Sequence, residues 1–440
     1  MKRLVAVMFV VLPLILLAAV IIRSNRQHRQ IKLPDGSTLR IDQVVYATAY
    51  RYNHYQGTPF HRILENLIPP QWQIRLGFRS ARGGGFIFGA TGITNLFLMT
   101  SQRGVGATNA ITLERLQAVD QDGSTFEAVS DAITAREPNA VIQGWKFKAF
   151  PRRTRQVRCR FIYKDGEGNY RSAGEVELSN PAPGPHPVWT PDSLPVTRRD
   201  SDVSATLTDF VAGSTRDPKE SSYWAGRALT RATFRLEQAG HPHPSWKVQS
   251  VIISDATGNT WKPSLEEDSP DLRASGDLGA EFIGALWPSE PAWKLRVEFS
   301  RTNDFEADEL WASPNIPVPA ANSVLNLNSR YEVSGIQLNV VAIGGVGAEF
   351  ADPFGSVAFG GAVNLAMRAE ASQQGKRVTL VKVVDDAGRP VPFSEPYPWH
   401  EADRCFALQV PQPAKTLLFT FAIHRSKFMD FVVKPRQMTR

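Results

Sequence analysis

The chain opens on an unbroken apolar run, Leu4 to Ile22, with Lys2 and Arg3 before it and Arg23 after it. As a helix rising about 1.5 Å per residue, a run of this length matches a bilayer core of about 30 Å. Pro13 within it is tolerated by a membrane helix. The rival reading is a cleaved export signal, whose apolar core is shorter, about 7–15 residues. Here Ala18-Ala19 is followed by Val20-Ile21-Ile22, so a single uncleaved anchor over residues 1–31 is expected. Beyond it the hydrophobic pattern changes to period two, as in Val157-Cys159-Phe161, Leu295-Val297-Phe299 and Leu417-Phe419-Phe421. Such alternation marks a strand with one face on a core. One stretch departs from it. Phe60, Ile63, Leu64 and Leu67 fall at helical spacing before Pro69-Pro70 and predict a short amphipathic helix, either a plug for one end of the first domain or a membrane-surface or partner-binding helix.

The alternating strands recur in an ordered set. Three Asp-x-x-Gly runs, Asp120–Gly123, Asp255–Gly258 and Asp385–Gly388, lie 135 and 130 residues apart. Each follows an apolar strand and precedes a single apolar residue, Phe126, Trp261 or Val391. Asp and Gly between two such runs are turn chemistry, with Gly supplying the positive φ. Downstream, Pro151, Pro288 and Pro411 each end an apolar stretch and lead into one of the alternating strands, and a last strand precedes Pro181, Pro314 and Pro435. About seven short strands per unit, three times over, predict an all-β chain of three tandem antiparallel β-sandwich domains. The boundaries expected are 32–182 (with the helical insertion), 198–314 and 330–436, joined by a proline-rich linker at 183–197 and a second linker at 315–329. The strand pattern resembles immunoglobulin-like or fibronectin-like sandwiches in general. It lacks the Cys…Trp…Cys spacing of true immunoglobulin domains, so the resemblance implies architecture and no activity.

Charge narrows the partners. Of the net +7, five charges come from Lys2, Arg3, Arg23, Arg26 and Arg29, so the rest of the chain is close to neutral and nucleic acid is not an expected partner. Within it, residues 31–182 carry 19 bases against 13 acids. Seven of those bases crowd into Trp145–Phe161: Lys146, Lys148, Arg152, Arg153, Arg155, Arg158 and Arg160, with no acid among them. If the two strands involved lie side by side, their outer faces form a basic ladder. Next to a bilayer it would attract anionic lipid headgroups, at about 1 kcal/mol per cation. The plainer reading is a charged edge that blocks aggregation. An envelope protein is the other partner considered.

No catalytic constellation stands out. Arg82-Gly83-Gly84-Gly85 lacks the ending of a phosphate loop and reads as a turn. His241-Pro242-His243 is a weak metal pair, the Asp-x-x-Gly turns are too poor in acids for a calcium loop, and no serine lies in a Gly-x-Ser-x-Gly elbow. Cys159 and Cys405 are too far apart in sequence to suggest a local framework, and no cofactor or metal is expected. The functional expectation is a membrane-anchored, non-enzymatic envelope scaffold or adhesion protein. The alternative is an envelope hydrolase, carbohydrate-active or peptidase-like, with a site between domains. The soluble domains are expected outside the cytoplasm. The flanking charges lean slightly the other way, but long domains translocate largely regardless of them.

Overall fold

A computed structural model describes residues 30–53, 85–88, 94–104, 111–137, 140–165, 167–215, 227–242, 245–265, 277–284, 286–350, 362–369, 375–395 and 402–438. Among these the only element that is not a strand is a single 3-10 turn at Ala307–Glu309. The anchor expected at the amino end lies outside the described residues apart from its last two positions, and so does the helix expected at 60–67. No helix of the described residues is long and apolar enough to cross a membrane. The chain is all-β, and among the described residues the strands pair antiparallel apart from the short parallel pairing of Val211–Ala212 with Arg436–Gln437 and a lone parallel bridge between Asp192 and Val433.

Of the seven sheets among the described residues, six fall into three successive pairs, and the seventh is a two-stranded ribbon of Tyr50–Asn53 and Gly85–Phe88. The first pair combines Gln30–Lys32, Thr38–Ala47, Asn95–Arg103, Ala140–Phe147 and Val129–Glu137, in that spatial order, with Tyr170–Ser179, Gln156–Lys164, Leu113–Val119 and Thr125–Glu127. The second sets Val196–Asp200, Val203–Thr215, Ala228–Gln238 and Leu278–Ile283 beside Thr260–Trp261, Trp246–Asp255 and Trp293–Arg301. The third sets Val324–Val333, Ile336–Gly344, Val363–Ala369, Asp403–Leu408 and Phe393–Ser394 beside Lys376–Asp385 and Thr416–Arg425.

The predicted alternation is visible as burial. Val157, Cys159, Phe161, Leu295, Val297, Phe299, Leu417, Phe419 and Phe421 are all buried, with half-exposed neighbours between most of them. The three Asp-x-x-Gly turns repeat one hydrogen-bond pattern. The Asp amide donates to the carbonyl four residues on, and the Gly amide donates back to the Asp carbonyl. Gly123, Gly258 and Gly388 have φ of 85°, 92° and 75°, the region glycine enters without steric cost. Two of the three aspartates also brace the turn from inside. Asp255 Oδ1 accepts from the amides of Thr257 and Asn259, and Asp385 Oδ1 from those of Ala387 and Arg389. Asp120, also buried, instead accepts from Ser289 Oγ at 2.7 Å.

The closing strands depart from the expected chain order. In the first pair Gln156–Lys164 is followed by its own partner, Tyr170–Ser179. In the second, Trp293–Arg301 takes as partner Lys427–Val433, from the far end of the chain, with Leu295 opposite Phe431 and Val297 opposite Met429. Conversely, the segment that follows Trp293–Arg301 crosses to the third pair. There Leu310–Ala312 and Ile316–Pro317 both pair with Thr416–Arg425. Part of the stretch expected to be a linker, 315–329, is therefore strand. The physical reason is burial: Met429, Phe431 and Val433 join the second core, while Ile316 joins the third. Period-two alternation shows that a segment needs a core, but not which core it will find.

The cores divide unevenly. One contiguous hydrophobic cluster runs through the first and second sheet pairs, whereas the third pair has a cluster of its own.

Candidate functional site

The seven bases of Trp145–Phe161 do not form one ladder. Lys146 lies in a strand of the five-stranded first sheet, while Arg158 and Arg160 lie in the opposite, four-stranded sheet. Arg160 donates from Nε to Glu175 Oε1 at 2.7 Å, and Arg158 donates to the Asp120 carbonyl and approaches Glu175. Glu175 sits on the adjacent strand, in register with Arg160. Lys146 and Lys148 are half-buried, and Arg155 is exposed.

Arg152 and Arg153 are drawn into the contact with the second sheet pair. Asn180 holds their loop, its Nδ2 donating to the carbonyls of Arg152 and Thr154. Arg152 is buried, donates from Nη1 to the Thr257 carbonyl at 3.1 Å, and lies over the rings of Tyr46 and Phe150. Arg153 grips Glu290 with two parallel 2.8 Å bonds. Around them the Asn259 amide pairs with both backbone groups of Phe150, accepting from N and donating to O. Phe126 meets Trp261 and Trp287 edge-on, and Trp287 meets Trp293 at 4.7 Å. A Cβ at Gly284 would stand 2.8 Å from the Phe126 ring, so that position admits no side chain. Burial pushes the Glu290 carboxyl above its ordinary range despite Arg153, and does the same to Asp120.

A second cluster lies where the second and third sheet pairs meet. Glu298 sits at an outward position of Trp293–Arg301, yet it is buried because the third pair covers that face. Arg377 donates to its two oxygens at 2.6 and 2.5 Å, Ser426 Oγ to Oε1 at 2.7 Å and Ser250 Oγ to Oε2 at 2.8 Å. Burial alone would raise the Glu298 carboxyl, but Arg377 and the two hydroxyls outweigh it and hold it low. Ser426 is the residue at which the chain crosses from one sheet pair to the other.

Beside this node opens a cleft of about 660 Å³. Among the described residues six cations line it, Lys247, Lys262, Arg301, Lys376, Arg377 and Arg404, together with the carboxylate of Glu395. Arg404 is bound to Glu395 and Arg301 to Glu309. Beside these arginines His424 is buried and donates or accepts with Thr379 Oγ1 at 3.1 Å. Burial and the charges of Arg301, Arg377 and Arg404 push its pKa down to about 4. None of this cleft was visible in the sequence. Its bases come one or two at a time from separate segments of the second and third sheet pairs. Glu298 alternates with the apolar Val297 and Phe299, and nothing in a single strand announces what covers it.

Of the weaker motifs, His243 and most of Arg82–Gly85 fall outside the described residues. Among the described residues no group of three metal-ligating side chains converges. Cys159 and Cys405 are buried free thiols, pushed up to about 12 by burial. No family model matches the chain, and no curated protein matches it either.

Proposed function

We propose that this chain is a membrane-anchored, non-enzymatic scaffold or adhesion protein of the cell envelope, built as three β-sandwich repeats behind its N-terminal apolar segment. The repeat reading rests on the shared Asp-x-x-Gly turns and on closing strands that take the same place in each sheet pair. On this reading the second and third copies trade closing strands, 427–433 for 310–317. The observation that carries the function is how the copies are joined. A continuous core links the first to the second, and exchanged strands link the second to the third. Both joints fix one copy against the next, as a protein that holds other molecules at set distances requires.

An envelope hydrolase is the second reading, and the cleft is the observation in its favour. Among the described residues the carboxylates of Glu298 and Glu395 at the cleft are each held bidentately by an arginine, so neither is poised to exchange a proton with a substrate.

The test uses the full chain expressed in cells with two membranes. It should resist alkaline extraction and be released by detergent. Residues 32–440 should be digested by protease in intact spheroplasts, and purified envelope glycan and peptide should come through incubation uncleaved. Alkaline release would remove the anchor, digestion only after lysis would reverse the topology, and new reducing ends or amino termini would replace the scaffold with the hydrolase.

A further inference from the structure

We infer that the edge strand Val324–Val333 of the third sheet pair is a self-association surface, on which a second copy of this chain lays the same strand antiparallel about a two-fold axis. The three sheet pairs supply the comparison. The strand at this edge is three residues long in the first pair, Gln30–Lys32, five in the second, Val196–Asp200, and ten in the third. A short edge strand is one way a sheet avoids taking on another chain. The first two are also held from the side. Ile31 packs so closely on Gly174 that a Cβ there would stand 2.9 Å from it, and Arg198 donates from Nε to the Asp430 carbonyl at 3.1 Å. Among the described residues, the one side-chain hydrogen bond of Val324–Val333 runs within the strand, from Ser329 Oγ to the Leu327 carbonyl. No strand of the described residues lies on its outer flank, so a row of backbone amides and carbonyls is left for a partner.

Backbone geometry sets where that partner can pair. The register against Ile336–Gly344 shifts between Asn326 and Ser329, where Asn328 has a φ of 47°. At the other end the hairpin turns at Ser334 and Gly335, with φ of 50° and 72°. Between the two lies one regular stretch, Ser329–Val333, paired residue for residue with the neighbouring strand. A two-fold pairing that uses all of it places its midpoint, Tyr331, on the axis. Ser329 then stands opposite Val333 of the second copy, and Arg330 opposite Glu332.

Charge leads to the same register. Arg330 and Glu332 are exposed on one face of the strand, and neither has an ion-pair partner among the described residues. Opposite charges directly across an antiparallel pair attract, and like charges repel. With the axis one residue earlier Arg330 would face its own copy, and one residue later Glu332 would. Parallel pairing in register would set both against their own kind. Only the axis at Tyr331 makes two Arg–Glu pairs. Tyr331 itself, half-buried on the opposite face, is braced by the Trp311 ring at 5.0 Å, so the residue on the axis is held in place. Pairing of this kind needs neither the membrane anchor nor a ligand.

The test is sedimentation of the full chain in detergent over a range of concentrations. A monomer–dimer equilibrium is expected. Arg330→Glu and Glu332→Arg should each weaken it ten-fold or more, because each sets like charges across both pairs. The double variant Arg330→Glu/Glu332→Arg should restore it, and so should an equimolar mixture of the two single variants, in which every pair is again complementary. Both residues are exposed, and circular dichroism of each variant checks that the fold is kept. Residues directly opposite in an antiparallel pair have Cα atoms about 4.5–5.5 Å apart, within reach of a disulfide. Tyr331→Cys should therefore cross-link two chains under mild oxidation, and Asn326→Cys should not. A chain that stays monomeric at every concentration overturns the proposal. So does a dimer that both single reversals leave unchanged, a mixture that fails to restore it, or cross-linking through position 326 in place of 331.

Discussion

The two joints of this molecule solve the same problem by opposite means. Between the first and second sheet pairs no strand is shared among the described residues, yet the cores run together, with Phe126 of one meeting Trp261 and Trp287 of the other and Trp293 packed behind them. Between the second and third the cores stay apart, yet each sheet is closed by a strand that arrives from the other side. The first joint depends on apolar area and shape. The second depends on connectivity, and the buried Glu298–Arg377 pair marks where the chain crosses. There the bonds from Arg377, Ser426 and Ser250 outweigh the cost of burying the Glu298 carboxylate. The joint-by-joint difference predicts which perturbations stay local and which spread.

Removing residues 427–440 should have the largest effect. It takes Met429, Phe431 and Val433 from the second core, each worth about 1.5–3 kcal/mol when buried. Hydrogen exchange should show Trp293–Arg301 losing protection first, although the deleted residues follow the third sheet pair in sequence. Loss of protection confined to Thr416–Arg425 would show that the closing strands are not exchanged. Next in size is Trp287→Ala at the first joint, at about 3–5 kcal/mol for a large buried aromatic. Because the core there is continuous, calorimetry should show the first two sheet pairs shifting down together while the third keeps its transition. A shift in the second pair alone would mean that the cores are energetically separate.

The fold was legible where the information is local. Alternation placed Phe161, Phe299 and Phe421 in the interior, and the Asp-x-x-Gly runs marked real turns, because strand periodicity and positive φ are properties of a few adjacent residues. What could not be read is pairing at a distance. The strands before Pro314 and Pro435 were recognised as closing strands, but any apolar strand of the right length suits either sheet. The basic run at Trp145–Phe161 failed as a unit for the same reason. Arg153 and Arg160 have carboxylate partners in Glu290 and Glu175, one in another sheet pair and one on the adjacent strand. The cationic cleft lay beyond reach altogether, since its residues share no segment.

Acid should separate the two joints. His424 lies at the second, buried against Phe305 and surrounded by Arg301, Arg377 and Arg404. Its folded pKa is about 4, against 6.5 for the ordinary group. The unfolded chain therefore takes up a proton below about pH 6.5 that the folded chain refuses, and stability falls as pH drops from there toward 4. At about 1.36 kcal/mol per pKa unit the full loss is on the order of 3 kcal/mol. Glu298, held low by Arg377, works in the same direction at still lower pH, since the stability it contributes is lost as it protonates. At the first joint the sign reverses. Glu290 and Asp120 are held high by burial, so the folded chain binds their protons more readily and their unfavourable contribution is relieved as pH falls. Hydrogen exchange at pH 7 and pH 4.5 should show Lys376–Asp385 and Thr416–Arg425 losing protection by more than Leu113–Val119 and Trp246–Asp255. His424→Leu should remove most of that difference. A uniform loss across all four strands, or a His424→Leu variant as acid-sensitive as the parent, would mean that the buried imidazole does not set the weak point of the second joint.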